Sequence, residues 1–209
     1  MKKTTQLTLL ALLAAAHSAQ AALITVTNGD FEDWANWSTD WTTTGNVGWQ
    51  PLSGLTGAYT GFDLAPYGAG LIFGNNGAGQ LSQTLTGTTL QTNTTYTLTV
   101  AVGNRNNLVL PGFGIELLAG ASIVASEYSI TQGGSVADPA DGTWSNVTAT
   151  FTTGGTVVAG DLGIVLQSYG TQVNYDNVSL DATAIPEPGT YALLAGCFAL
   201  ASVMIRRRR

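Results

Sequence analysis

The sequence between residues 22 and 185 predicts an all-β fold in which two antiparallel sheets pack against each other as a β-sandwich. Short alternating or apolar runs are separated by Gly, Asn, Asp and Thr. No stretch of useful length in this region has the periodicity of an amphipathic helix. The region is about 164 residues long, which suits a single domain with its own core.

The first segment, residues 1–21, is predicted to be a signal peptide. Lys2 and Lys3 precede an apolar run that begins at Leu7, and Ala19 and Ala21 place small residues at the two positions that signal peptidase reads. We therefore expect signal peptidase to act on the chain and the exported protein to begin at residue 22.

Strands are predicted along the whole middle region. The clearest covers residues 95–103, where Tyr96, Leu98, Val100 and Val102 share one face, and Leu81, Gln83 and Leu85 alternate in the same way. Further strands are predicted at residues 23–27, 41–46, 71–73, 114–118, 122–130, 145–152, 161–168 and 172–180. Residues 42–70 and 131–143 are rich in Gly with aromatics or Asp, and we expect loops there.

The charge of the middle region restricts its partners. Arg105 is the one basic residue between 22 and 185, against twelve Asp and Glu, so the net charge is 1 − 12 = −11. Nucleic acid is not an expected partner, because phosphate binding needs clustered Lys and Arg. Hard cations such as Ca²⁺ suit this region better. The only cysteine, Cys197, lies in the C-terminal apolar segment, so the predicted domain contains no disulfide.

The available side chains exclude several catalytic arrangements. The only histidine, His17, lies in the signal peptide, and residues 22–185 contain no Lys. Ser-His-Asp, Cys-His and Ser-Lys mechanisms and His-ligated zinc are therefore excluded. A pair of carboxylates could still hydrolyse a glycoside, but twelve scattered acids locate no such pair. The prediction is a protein that is not an enzyme.

One carboxylate, Asp176, is expected to be buried. Strand alternation places it on the same face as Val178 and Leu180, the residues expected to point inward. A buried charge needs a cation or several hydrogen-bond donors, and Ca²⁺ is the expected cation because Arg105 is the only base available. A bulge or strand end that turns Asp176 outward is the alternative.

Four segments carry a resemblance to a known fold family. They are Asn28 to Glu32 followed by Trp37, Trp41 and Gly45; "LSQTLTGTTLQTNTTYTLTVAV"; "GTWSNVTATFTT"; and "VNYDNVSL". Their order and spacing over most of residues 23–181 resemble galactose-binding-like jelly rolls, which include many carbohydrate-binding modules. The resemblance implies a jelly roll with a structural calcium. Its main ligands would be Glu32 and Asp176, with Asn28 and Asp30 as weaker additions.

Aromatic residues in the first half of the chain suggest a glycan platform. Trp49, Tyr59 and Tyr67 fall in the predicted loop 42–70, where flat rings could bind a sugar. Packing in the core is the alternative use of these rings.

The C-terminal segment, residues 186–209, combines Pro186, Glu187 and Pro188 with an apolar stretch at 190–205 and Arg206, Arg207, Arg208 and Arg209. The apolar stretch is predicted to be a single membrane-spanning helix with its arginines in the cytoplasm. This order closely resembles the PEP-CTERM sorting signal. The resemblance implies recognition by an exosortase of a Gram-negative bacterium, transient anchoring in the inner membrane and release to the cell surface or extracellular matrix. A retained membrane anchor is the alternative.

Together these observations predict an exported, non-enzymatic protein of the cell surface or the exopolysaccharide matrix of a biofilm, with a structural or adhesive role. A carbohydrate-binding module that recognises a specific glycan, and a permanently anchored periplasmic protein, are the alternatives.

Overall fold

The computed structural model describes residues 21–33, 41–42, 48–59, 71–106, 109–170, 172–186, 196–197 and 200–207, and only the backbone at 41–42, 51–59 and 71–78. The chain divides into two compact units. The first, Ala22–Ala182, is called the β domain below. The second comprises Met1–Ala21 and Thr183–Arg209, and its described residues are helical at 196–197 and 200–206.

Ten strands and one short 3-10 helix, Ile130–Gln132, are described. The strands are β1 (Ala21–Ile24), β2 (Trp41–Thr42), β3 (Gln50–Tyr59), β4 (Leu71–Thr89), β5 (Thr94–Gly103), β6 (Phe113–Ala119), β7 (Ser122–Tyr128), β8 (Trp144–Thr152), β9 (Asp161–Ser168) and β10 (Val173–Ala184).

The described strands are hydrogen bonded in the order β7-β6-β9-β4-β10-β5-β8. The long strand β4 takes part in both layers of the sandwich. Its residues 79–89 pair with β9, whereas residues 72–74 pair with β10, and both pairings are antiparallel. Strand β1 pairs with β10, and β3 pairs with β4. The predicted sandwich of two antiparallel sheets is therefore confirmed.

The core lies between the two layers and follows from strand alternation. On β9, Ile164 and Leu166 are buried, and their partners on β6, Leu117 and Ile115, are buried on the same face. The opposite layer contributes Leu98 and other alternate residues of β5 to the same cluster. Burying one such side chain stabilises the fold by roughly 1.5–3 kcal/mol, so this cluster holds the layers together.

Most predicted strands are present, but the predicted loop at residues 42–70 is wrong in part. Strand β5 has the predicted boundary at Gly103, and its alternate residues from Tyr96 to Val102 are buried as expected. Strand β3, in contrast, lies inside the predicted loop and pairs along β4 with two register shifts. Such irregular pairing tolerates a Gly-rich sequence without clear alternation. Of the predicted strand 41–46, the structure describes only Trp41–Thr42, which is a strand.

The membrane-spanning helix predicted at residues 190–205 has no support in the described part of the chain. None of the helices described there is long and apolar enough to cross a membrane.

Candidate functional site

A polar patch lies on the face of the β7-β6-β9-β4 layer that is opposite the core, called the outer face below. On β6, Phe113, Ile115 and Leu117 point into the core, so Gly114 and Glu116 lie on the outer face. The register places Glu116 opposite Val165 on β9 and opposite Ser126 on β7. Glu116 is only 5% exposed, so a carboxylate is buried on this face.

Tyr128 is the hydrogen-bond partner of this carboxylate. Its hydroxyl donates to Glu116 Oε1. Its ring lies against Gly114, the residue opposite it in the register, because a Cβ added at Gly114 would be 2.7 Å from Tyr128 Cδ1. Burial, followed by the hydrogen bond and the charge of Glu116, raises the pKa of Tyr128 to about 12. The phenol is therefore protonated at neutral pH and acts as a donor.

The charge of Glu116 also affects a second phenol, that of Tyr169. The Tyr169 hydroxyl donates to Gln167 Oε1 at 2.7 Å, and Gln167 is opposite Gly114 in the register. Burial, and then the charge of Glu116, raises the pKa of Tyr169. Glu116, Tyr128, Gln167 and Tyr169 are called the Glu116 cluster below. The cluster can stabilise positive charge and can accept or return a proton at the carboxylate.

The sequence reasoning missed the Glu116 cluster, although a signal for it was present. Glu116 is the one charged residue of the apolar strand β6, and strand parity identifies such a residue, as it did for Asp176. The positions of Tyr128 and Tyr169 depend on registers and turns that the sequence does not specify.

The predicted calcium residues lie where the loop after β1 meets β10. Asp176 is 0% exposed, so the expected burial is confirmed, and its Oδ1 accepts the backbone N–H of Asn177 at 2.6 Å. The backbone N–H of Val178 donates to the Gly29 carbonyl at 2.7 Å. A Cβ at Gly29 would lie 2.3 Å from the Val178 carbonyl oxygen, so only glycine fits this contact.

The loop itself is closed by short-range hydrogen bonds. Asn28 Oδ1 accepts the backbone N–H of Asp33 at 2.9 Å, and Asp30 Oδ1 accepts that of Glu32 at 3.5 Å. A shallow cavity of about 320 Å³ lies between residues 28–30 and residues 177–179. Among the side chains that the structure describes, no three Asp, Glu, His or Cys converge to hold a metal ion. Asp30, Glu32 and Asp176 thus do not form a three-carboxylate centre, and a cation here would also need backbone and amide oxygens.

The predicted glycan platform is not formed by Trp49. This residue is only 1% exposed, packs against Phe31 with ring centroids 5.5 Å apart, and donates its Nε1–H to the Asn28 carbonyl at 3.2 Å. It is a core residue, which is the alternative that the sequence left open. The Tyr59 side chain and Tyr67 lie outside the described residues.

The predicted sorting residues are described only in part. Ala21 is the first residue of β1, and Pro186, Arg206 and Arg207 are also described. Ala19, Glu187, Pro188, Arg208 and Arg209 lie outside the described residues.

Comparisons with known proteins identify a cyclase family. The family model described as "HpiC1-like: HpiC1 cyclase" matches residues 22–181. A solved Stig cyclase, Fisc from Fischerella sp. TAU, in complex with (3Z)-3-(1-methyl-2-pyrrolidinylidene)-3H-indole, is 25% identical. The match covers 80% of this chain and 100% of that chain, with a TM-score of 0.67. An apo cyclase from Fischerella sp. is 27% identical over 81% of this chain and 100% of that chain, also with a TM-score of 0.67.

A more distant similarity concerns the fold alone. The CBM22-1 xylan-binding domain of Xyn10C from Paenibacillus barcinonensis is 13% identical over 81% of this chain and 100% of that chain, with a TM-score of 0.51. No curated protein matches the sequence.

These comparisons correct the functional interpretation of the sequence. The matching family and the two Fischerella structures are cyclases, so the predictions of a non-enzymatic structural or adhesive protein and of a carbohydrate-binding module are wrong. The recognition of the chain as a PEP-CTERM surface protein is likewise replaced by the cyclase match over residues 22–181. The absence of His and Lys excluded hydrolytic triads, but ring closure needs only a group that stabilises charge and moves a proton.

Proposed function

Because the chain belongs to the HpiC1-like cyclase family, we propose that it is a cyclase that closes a ring within a small indole-bearing substrate. The family match carries this proposal, since residues 22–181 cover almost all of the β domain, Ala22–Ala182. The indole ring is suggested by the Stig cyclase Fisc, whose structure contains an indole-derived ligand. The fold similarity to a xylan-binding domain further supports a jelly-roll arrangement of the sandwich.

We place the chemistry at the Glu116 cluster. When an indole carbon attacks an electrophilic, unsaturated carbon of the same molecule, one carbon–carbon σ bond forms, the π bond of the electrophile breaks and positive charge develops on the indole ring. The Glu116 carboxylate, buried and hydrogen bonded by Tyr128, would stabilise this charge and then accept the proton that the ring loses. The electrophilic group gains a proton from solvent, so the product is an isomer of the substrate. In this role Tyr128 is a positioning residue that orients the carboxylate.

Product mass tests this function directly. The purified chain is incubated with 3-substituted indoles that carry an unsaturated side chain, and products are separated by liquid chromatography and identified by mass spectrometry and NMR. We expect a new product with the mass of the substrate and one additional ring. Glu116→Gln should lower kcat by about 10²- to 10⁴-fold, the usual contribution of a group that transfers a proton.

A matched control uses a second glutamate. Glu127 precedes Tyr128 on β7, and its Oε2 accepts a hydrogen bond from the Ser135 hydroxyl at 3.4 Å. Glu127→Gln makes the same change of charge away from the cluster and should leave kcat within a few fold. Equal losses in both variants would contradict the assignment of Glu116, and no cyclised product from any indole would contradict the proposed activity.

We also propose that the β domain holds a structural Ca²⁺ between the loop after β1 and β10. The fully buried Asp176 carboxylate supports this, because such a charge needs compensation and Ca²⁺ accepts carboxylate, amide and carbonyl oxygens together. Asp176 would be the central ligand, joined by backbone or amide oxygens of Asn28, Asp30 and Glu32 from the loop. The ion would have no part in the chemistry at Glu116.

Export of the chain by a signal peptide is proposed on the sequence pattern of residues 1–21. Signal peptidase would then cut after Ala21, and mass spectrometry of the secreted protein should find Ala22 at its N-terminus. A mature protein that retains Met1 to Ala21 would contradict the proposal.

A further inference from the structure

The ring of Tyr128 packs closely against Gly114 of β6, where no side chain lies between the ring and the backbone. A Cβ at Gly114 would lie 2.7 Å from Tyr128 Cδ1 and 2.8 Å from Cε1, so one edge of the ring rests directly on the β6 backbone. The Tyr128 side chain is half-buried, so part of it remains accessible to solvent. Glycine–aromatic pairs of this kind hold the ring in a fixed orientation across a strand pair. The outer face therefore presents a rigid aromatic surface beside a carboxylate.

The electrostatics of this surface favour a cation. The Tyr128 hydroxyl donates to the Glu116 carboxylate, which increases the electron density of the ring, and electron-rich rings attract cations at their faces. Tyr169 adds a second ring within reach of the Glu116 charge. Residues 22–185 contain one basic residue, Arg105, against twelve acids, so the region as a whole attracts cations rather than anions.

We propose that the Glu116 cluster selects substrates that carry a positive charge next to the indole ring, namely protonated indolyl amines, over neutral and anionic indoles. The carboxylate would pair with the ammonium group, while the Tyr128 and Tyr169 rings would contact the cation and the indole ring. This inference rests on the proposed cyclase function for the location of the ligand, and it adds the charge of the substrate.

Three ligands with the same ring test the inference on the full chain. Tryptamine is a cation at neutral pH, 3-propylindole is neutral, and indole-3-propionate is an anion. Isothermal titration calorimetry at low salt should give affinities in the order cation, neutral, anion, with at least about tenfold between cation and anion, as expected for one cation–π contact and one partly buried ion pair. Equal affinities, or tightest binding of the neutral ligand, would overturn the proposal.

Variants separate this selectivity from simple loss of the fold. Glu116→Gln should abolish the preference for tryptamine and still bind 3-propylindole, whereas Glu127→Gln should keep the preference. Tyr128→Phe keeps the ring and should lose only part of the preference. Retention of the full preference in Glu116→Gln would overturn the assignment of this residue.

The inference about the charge of the ligand and the proposal of cyclase activity can be contradicted separately. Tryptamine preferred in a Glu116-dependent way, with no isomeric product from any indole, would support the inference and contradict the cyclase proposal. Cyclisation of neutral indoles with no preference for tryptamine would contradict the inference and leave the cyclase proposal in place.

Discussion

The pairing of Glu116 with Tyr128 can be measured by tyrosine titration. Burial is the largest cause of the raised pKa of Tyr128, and the hydrogen bond and charge of Glu116 come next. Glu116→Gln removes only the charge-dependent part, so the pKa of Tyr128 should fall from about 12 but stay above the ordinary value of 10.0. Tyrosinate absorbance as a function of pH gives the values, and Tyr128→Phe identifies the step. An unchanged titration in Glu116→Gln would show that the two groups do not interact.

The raised pKa of Tyr128 also predicts how the free energy of unfolding changes at alkaline pH. Tyr128 binds its proton more tightly in the folded than in the unfolded chain, so its contribution to stability is complete below pH 10.0 and is lost as the pH rises towards about 12. The raised pKa values of Tyr169 and Tyr175 act in the same direction. Urea unfolding at several pH values should show the free energy of unfolding decreasing in this range, and less steeply in Tyr128→Phe.

Gly114 is predicted to be required for the position of the Tyr128 ring. Gly114→Ala places a methyl group within 2.7 Å of this ring, so the ring must move and its bond to Glu116 must weaken. We expect a loss of about 1–3 kcal/mol in unfolding free energy from overpacking, together with a lower pKa of Tyr128. Gly155→Ala is the control, because a Cβ there meets nothing within 4 Å. A Gly114→Ala variant with the wild-type titration would contradict this role.

At the scale of elements, one glutamine attaches the N-terminal loop to the sheet. Gln83 on β4 accepts the backbone N–H of Thr27 at 2.7 Å and donates to its carbonyl at 2.8 Å. Gln83→Leu removes both bonds, and the side chain is buried, so we expect unfolding free energy to fall by about 1–3 kcal/mol. Gln91→Leu should cost less, since the Gln91 side chain is exposed and its Nε2 donates a long, 3.3 Å bond to the Thr89 carbonyl. Equal midpoints of urea unfolding for the two variants would show that Gln83 does not hold the N-terminal loop to the sheet.

The sequence predicts elements well where alternation is regular. Strand β5 and the buried position of Asp176 both follow from the period of two. Strand β3 does not follow from this period, because its bulged pairing depends on its partner β4 rather than on an alternating pattern of its own. The two short strands predicted at 71–73 and 81–85 are parts of the single strand β4, since the backbone continues through the Gly-containing residues between them.

The candidate site was less predictable than the strands for a related reason. Parity could place Glu116 on the outer face of β6, but the contact with Tyr128 requires the β6–β7 register, and that register is shifted between Leu117 and Leu118. The prediction that the protein is not an enzyme is wrong, because the absence of His and Lys excludes only the mechanisms that use those residues, whereas the matching family is a cyclase family.

At the scale of the whole molecule, a calcium ion would connect the two ends of the β domain. The loop after β1 and strand β10 already meet through the bond from Val178 to the Gly29 carbonyl, and the buried Asp176 lies two residues before Val178. In a region with a net charge of −11, a divalent cation relieves repulsion as well as the cost of burying this carboxylate.

Removal of this ion should therefore lower the thermal stability of the whole β domain. A ligand that binds only the folded chain stabilises it by about 2.7 kcal/mol at a hundredfold excess over Kd, so a chelator should lower Tm and added Ca²⁺ should restore it. Asp176→Asn should have a low Tm that no longer responds to chelator or Ca²⁺. Asp181→Asn, a change of the same charge further along β10, should respond as the wild type does. A wild-type Tm that the chelator leaves unchanged would show that Asp176 is stabilised by hydrogen bonds of the chain alone, with no metal ion between the loop and β10.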